Sequence, residues 1–181
     1  MREFAVLPAR IRTLKISGAP KLASLDGIQR LQQLHELVLS TSTGSSGSRR
    51  LIHVPSFAPL ERLQNLQRLV LDEVRPDDLD LSPITRMTQL REVDIGGVPE
   101  FGVETYARLA AALPHAKGRC LQPYFMIKNL AFCRNCKEQM VLLVGAPPRS
   151  RRLLCPQCNQ KLLAAHVAKW EHVTGRRYSE S

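Results

Sequence analysis

One apolar phrase occurs four times in the first half of the chain. Ile11-x-x-Leu14-x-Ile16 recurs as Leu34-x-x-Leu37-x-Leu39, Leu66-x-x-Leu69-x-Leu71 and Leu90-x-x-Val93-x-Ile95. The starts lie 23, 32 and 24 residues apart, and the long interval contains the polar run from Ser40 to Arg50. With about nine residues of that run removed the period is regular. The alternation that ends each phrase predicts a short strand with every second residue turned into a core. A second phrase keeps the same phase. Leu25–Leu34 matches Phe57–Leu66 and Leu81–Leu90, which places Ile28/Leu31, Leu60/Leu63 and Ile84/Met87 at helical spacing. A helix or 3₁₀ turn with those residues inward is expected. One such unit cannot bury its apolar face alone, but stacked copies bury it together.

These two locked phrases resemble the leucine-rich repeat family over about residues 7–121. The resemblance implies an α/β repeat solenoid, with short parallel strands along one face and helical or 3₁₀ segments along the convex side. By register the outward strand residues fall into rows: Thr13, Glu36, Arg68 and Glu92; then Lys15, Val38, Val70 and Asp94; then Ser17, Ser40, Asp72 and Gly96. Solenoids of this kind bind through such a concave surface. Here it is mixed in charge with an apolar spot at Val38/Val70, which suits a protein partner, and a merely solvated face is the alternative. The Asn that often follows the strand is absent. Ala19, Ser42, Val74 and Val98 stand at or near its place, so a less regular turn is expected. Phe4–Leu7 could add a short strand at one end. Ala116-x-x-Arg119-x-Leu121 could add a degenerate fifth at the other.

The last third is organised by cysteine. Cys133-x-x-Cys136 and Cys155-x-x-Cys158 are separated by eighteen residues. That spacing lets four thiolates close a tetrahedral zinc site from two tight turns whose backbone N–H groups point at the sulfurs. A redox dithiol or a pair of disulfides is the alternative. Met140–Val144 reads as a strand broken by Gly145–Pro148, and Arg152-Leu153-Leu154 leads back to the second pair. The arrangement resembles a zinc ribbon over about residues 124–170, with one structural Zn²⁺ per chain. Many ribbons carry Gly after each pair, where this chain has Lys137 and Asn159. Gln122-Pro123-Tyr124 reads as the boundary, giving a repeat domain at 1–121 and a zinc-ribbon-like domain with a basic tail at 122–181. Lys161–Trp170 reads as a final strand or short helix, and Gly175–Ser181 as a frayed tail.

Charge is distributed unevenly. Residues 1–116 hold 14 Lys/Arg against 13 Asp/Glu, whereas 117–181 hold 12 against 3, so the formal +10 belongs almost wholly to the cysteine end. A basic module attracts phosphates or acidic protein surfaces. Arg149, Arg151 and Arg152, between the Cys pairs, are candidate anion-binding residues. No apolar run reaches the roughly 18 residues a membrane helix needs. Four of the five cysteines stand in metal-type spacing, which points to a reducing cytoplasm, with Cys120 left as a lone thiol. The five histidines do not cluster with acids, and Asp77-Asp78-x-Asp80 lacks the glycine turn and distal Glu of a calcium loop. No phosphate loop, nucleophile elbow or His-Glu-x-x-His is present, so nothing argues for an enzyme.

The expectation is a non-catalytic module that binds another protein through the concave repeat face, braced by a structural zinc ribbon. The arginine-rich basic set looks bacterial, and family analogy extends the reading to inhibitor or immunity-type proteins. The alternative is nucleic-acid binding through the basic ribbon.

Overall fold

The computed structural model describes residues 3–18, 21–41, 51–127, 131–146 and 153–179. The fold is mixed α/β. Four strands, β1 (Thr13–Ser17), β2 (Glu36–Ser40), β4 (Arg68–Asp72) and β6 (Glu92–Gly96), form a parallel sheet in the order β1-β2-β4-β6. β3 (Ile52–Val54) and β5 (Val74–Pro76) make a two-stranded parallel sheet. β7 (Tyr124–Met126), β8 (Val141–Leu143) and β9 (Leu153–Leu154) make an antiparallel one. The helices are α1 (Ser82–Thr85), α2 (Val103–Ala112) and α3 (Gln160–Thr174). The packing divides the chain into two compact units, 1–98 with 112–118 and 99–111 with 119–181. Segment 99–111 thus groups with the cysteine end, across the boundary drawn at 121 from the sequence.

In the first unit the strands pair without slip: Leu14, Leu37, Leu69 and Val93 share one row, and Ile16, Leu39, Leu71 and Ile95 another. These rows face the core. Leu37, Leu39, Leu69, Leu71 and Val93 are fully buried, while Leu14 and Ile16 on the edge strand are half-buried. The second phrase folds as 3₁₀ helices at Ile28–Arg30 and Ala58–Arg62 and as α1. Pro59 and Pro83 stand in the first turns of the last two, where the missing N–H is harmless. Ile28, Leu31, Leu60, Leu63, Ile84 and Met87 all point inward and are buried. Each such side chain contributes about 1.5–3 kcal/mol.

β2, β4 and β6 are each entered through a shared carbonyl. Arg12 O accepts from the N–H groups of His35 and Glu36, His35 O from those of Gln67 and Arg68, and Gln67 O from those of Arg91 and Glu92. Each strand is left through Gly18, Thr41, Glu73 or Gly97. Gly18, Glu73 and Gly97 adopt the left-handed conformation, with φ of 69°, 60° and 77°. The missing asparagine has substitutes. The Thr41 hydroxyl donates to the Glu73 carboxylate at the strand exits. At the strand entries, Asn65 Nδ2 donates to Gln32 O at 2.7 Å, Gln32 Nε2 to Arg62 O at 3.2 Å and Gln89 Nε2 to Leu63 O at 3.0 Å.

Several sequence expectations are corrected. Glu3–Val6 is a 3₁₀ helix, not a strand; it buries Phe4 without pairing to the sheet. Val74 does not sit in an irregular turn but opens β5. The degenerate fifth strand shrinks to a single bridge between Glu92 and Lys117, after which Arg119–Leu121 coils into a 3₁₀ turn. Arg119 could not be buried as a strand residue there; it is exposed and lies over the Phe125 ring at 5.3 Å.

In the second unit, Tyr124, Val141, Leu143, Ala146 and Leu154 form a small core, covered by Leu163, Val167 and Tyr178. Tyr124–Met126, expected only as packing residues, supply the third strand. Lys161–Trp170 is helical and runs on to Thr174, where Gly175 ends it in the left-handed conformation with φ 66°. Residues 176–179 are not frayed. Tyr178 N–H donates to Glu171 at 2.7 Å, and its ring packs edge-on against Tyr124 with centroids 5.3 Å apart. Among the described residues no helix is long and apolar enough to cross a membrane.

Candidate metal centre and sheet face

The four cysteines converge. The first pair lies in the turn before β8, and the second follows β9 directly, so the antiparallel pair β8–β9 brings both turns to one end. All four Sγ atoms lie within 4.8 Å of one another and could hold a metal ion. Among them, Cys136 and Cys155 lie 3.3 Å apart, Cys136 and Cys158 3.6 Å, and Cys133 and Cys158 3.7 Å. Cys133 and Cys155 are buried, whereas Cys136 and Cys158 are exposed.

Backbone donors surround the sulfurs. The N–H groups of Cys136 and Asn135 point at Cys133 and, against desolvation, hold its thiol down at about 6. Glu138 N–H points at Cys136, and Cys158 N–H lies 3.4 Å from Cys155 Sγ. The first turn is closed by Lys137 N–H to Cys133 O at 3.0 Å and Cys133 N–H to Glu138 O at 2.8 Å. Lys137 occupies the left-handed position usually given to glycine, with φ 64°. Asn159 takes φ −124° and is the N-cap of α3. The second turn therefore needs no glycine, because it runs straight into a helix. That helix start beside Cys155 and Cys158 also supplies a positive dipole end to the thiolates.

Four adjacent sulfurs cannot all ionise without a cation. The sulfurs of Cys136, Cys133 and Cys155 push the Cys158 thiol up to about 12. Cys136 is also raised: Glu138 N–H pulls it down, but the Cys155 sulfur and desolvation outweigh it. At neutral pH these two thiols keep their protons until a metal displaces them. Loading at pH 7 should release at least two protons per ion. Affinity should fall on acidification, by about tenfold per pH unit for each proton released. Metal titrations at pH 6, 7 and 8 in buffers of different ionisation enthalpy check this; a pH-independent affinity would contradict thiol ligation.

The sheet face presents the three outward rows in the expected register. A chain of ion pairs crosses it. Lys15 Nζ lies 3.0 Å from Glu36, Arg68 meets Glu36 from the other side, and Arg68 Nε lies 3.0 Å from Glu92. The Lys15 hydrogen bond, with help from Arg68, holds the Glu36 carboxyl below its usual range. Thr13 heads the same row. Val38 and Val70 lie side by side between Lys15 and Asp94, half-exposed, and Ser17, Ser40, Asp72 and Gly96 close the face. Arg149, Arg151 and Arg152 lie outside the described residues, as does the Ser/Gly insertion beyond Thr41. His166 bonds Pro123 O at 2.9 Å, and burial lowers its pKa. Asp80 accepts from Ser82 N–H and Oγ just before α1, a local turn contact. The sequence reading missed Glu73 and Thr41, whose pairing depends on a distant strand exit. It also missed the start of α3 beside the cysteines, although Asn159 ahead of an apolar-periodic run was a legible cap signal.

No protein-family model matches this chain, and no curated protein matches it in sequence at a significant level.

Proposed function

We propose that this chain is a non-catalytic protein-binding module, a leucine-rich-repeat-type solenoid with a structural zinc centre at its C-terminal end. The observation that carries the reading is the exposed face of the parallel sheet: three outward rows in unbroken register over four strands, with every intervening row turned into the core. Neighbouring strands lie about 4.8 Å apart, so the rows make a continuous surface. The ion-pair chain across it fixes long side chains in place, which lowers the entropy cost of docking. Val38 and Val70 offer an apolar centre with a polar rim, the usual anatomy of a protein interface.

Zinc suits the cysteine centre. A tetrahedral ion with Zn–S bonds of about 2.3 Å requires S···S edges of about 3.8 Å, close to the 3.3–3.7 Å separations found here. Four thiolates leave no open position for a substrate, so the ion's role is structural.

The test removes the apolar centre without changing the net charge of the face. Val38→Lys with Val70→Glu places an ion pair across β2 and β4. It should change the melting temperature little, because substitutions at exposed sites typically shift stability by about 0.5 kcal/mol or less. Binding to proteins captured by the immobilised wild-type chain should weaken by about tenfold or more, or about 1.4 kcal/mol. Unchanged capture by a folded double variant would move the interface off the sheet.

A further inference from the structure

The outward face of α3 carries cations and no acid. Lys161, Ala165, Ala168, Lys169 and His172 fall on one exposed side of this 15-residue helix. Its opposite side, with Leu163, Val167 and buried Trp170, is taken up by the unit's own packing. Arg176 and Arg177 follow the left-handed turn at Gly175, on a segment held back against the helix by Glu171 and Tyr178. Among the described residues none of these cations is ion-paired. The one acid on the helix, Glu171, is on another flank and accepts from Tyr178 N–H. Lys161 stands in the first turn, which holds no acid and where a cation opposes the helix dipole.

We propose that this face binds the phosphate backbone of duplex nucleic acid without reading its sequence. The inference does not depend on the protein-binding role of the sheet. A helix of this length spans about 22 Å, enough to set its cations against several successive phosphates. Alanines 164, 165 and 168 between the lysines let the helix surface approach a sugar–phosphate chain closely. Other anionic partners fit less well. An interfacial membrane helix needs a free apolar face, and here that face is already packed. A protein interface centres on aromatic or aliphatic anchors and is depleted in lysine; Leu162 is the single large exposed apolar side chain on the helix. Single strands are held by stacking on aromatics, and the outward face has none.

The experiment uses the full zinc-loaded chain and a fluorescent 20-base-pair duplex of arbitrary sequence, with anisotropy followed from 50 to 200 mM salt. Four phosphate contacts predict an affinity that drops by about a hundredfold across that range. The variant Lys161→Ala, Lys169→Ala, Arg176→Ala, Arg177→Ala should flatten the logarithmic salt slope by about 3.6 units while leaving zinc content and helicity unchanged, since all four side chains are exposed. A second duplex of unrelated sequence should bind equally. The inference is overturned if wild type fails to bind at 50 mM salt, or if the variant keeps the full slope, which would assign binding to the segment holding Arg149, Arg151 and Arg152. Tighter binding to a single strand or to phosphatidylserine vesicles than to the duplex also overturns it.

Discussion

Cys155→Ser should release the metal and dissolve the second unit while leaving the parallel sheet intact. Cys155 is buried, accepts the Cys158 N–H and sits directly after β9, so its loss opens the clasp at its most enclosed corner. The unit has little else to hold it. Its three strands are three, three and two residues long, and strands this short do not sustain a sheet without outside support. Metal ligation in small modules is folding free energy, about 10–16 kcal/mol for zinc-finger peptides. We expect metal affinity to fall by more than about a hundredfold. Hydrogen exchange should show protection lost over 119–179 and also over 99–111, which belongs to the same unit, but retained in β1, β2, β4 and β6. Loss of protection confined to the cysteine turns would show that the apolar core of that unit suffices. Cys120→Ser, outside the cluster, should leave metal content unchanged.

Gly118→Ala should destabilise the first unit by about 2–3 kcal/mol, the range of backbone strain and overpacking. Its φ is ordinary, so the reason is space. A Cβ there would stand 1.7 Å from the Val93 carbonyl oxygen and 2.8 Å from its carbon. The bonds that tie this segment to the last strand, Val93 N–H to Lys117 O and Lys117 N–H to Arg91 O, both 2.8 Å, would have to part. Gly96→Ala is the control, because its Cβ would meet nothing nearer than Asp72 Oδ1 at 3.8 Å. Denaturant melts of the two variants, followed by a probe in the first unit, should separate them clearly; equal midpoints would contradict the close approach.

Much of this fold was legible because burial fixes register. A one-residue slip in Leu-x-x-Leu-x-Leu would turn a whole leucine row into solvent, so the alignment of Glu36 with Arg68 and Glu92 could be read from spacing alone. The cysteine cluster was legible for a related reason: chelation demands four ligands from two short turns. What escaped had weak local signal. Ile52-His53-Val54 and Val74-Arg75-Pro76 alternate correctly, but three residues are too few to distinguish a strand from a turn. Gly175 was a readable helix stop, whereas the clasp from Glu171 to Tyr178 needs the chain to fold back on itself. The left-handed exits at Gly18 and Gly97 suit their residue type. Glu73 does not, and it is held by Thr41, the Ile52 N–H and Gly96 O, partners set by the sheet rather than by neighbours in sequence.

The ion-pair chain on the sheet has a kinetic consequence. Lys15, Glu36, Arg68 and Glu92 alternate in sign at near-contact distance. Their fields cancel within a few ångströms and are screened beyond about 10 Å. This ion-pair chain therefore adds no long-range field of its own. The long-range field of this molecule comes from the +9 of residues 117–181. On the proposed protein-binding reading, encounter would be governed by residues 117–181 and docking by the sheet. For a negatively charged protein partner, added salt should slow association, while dissociation from the sheet face should change less.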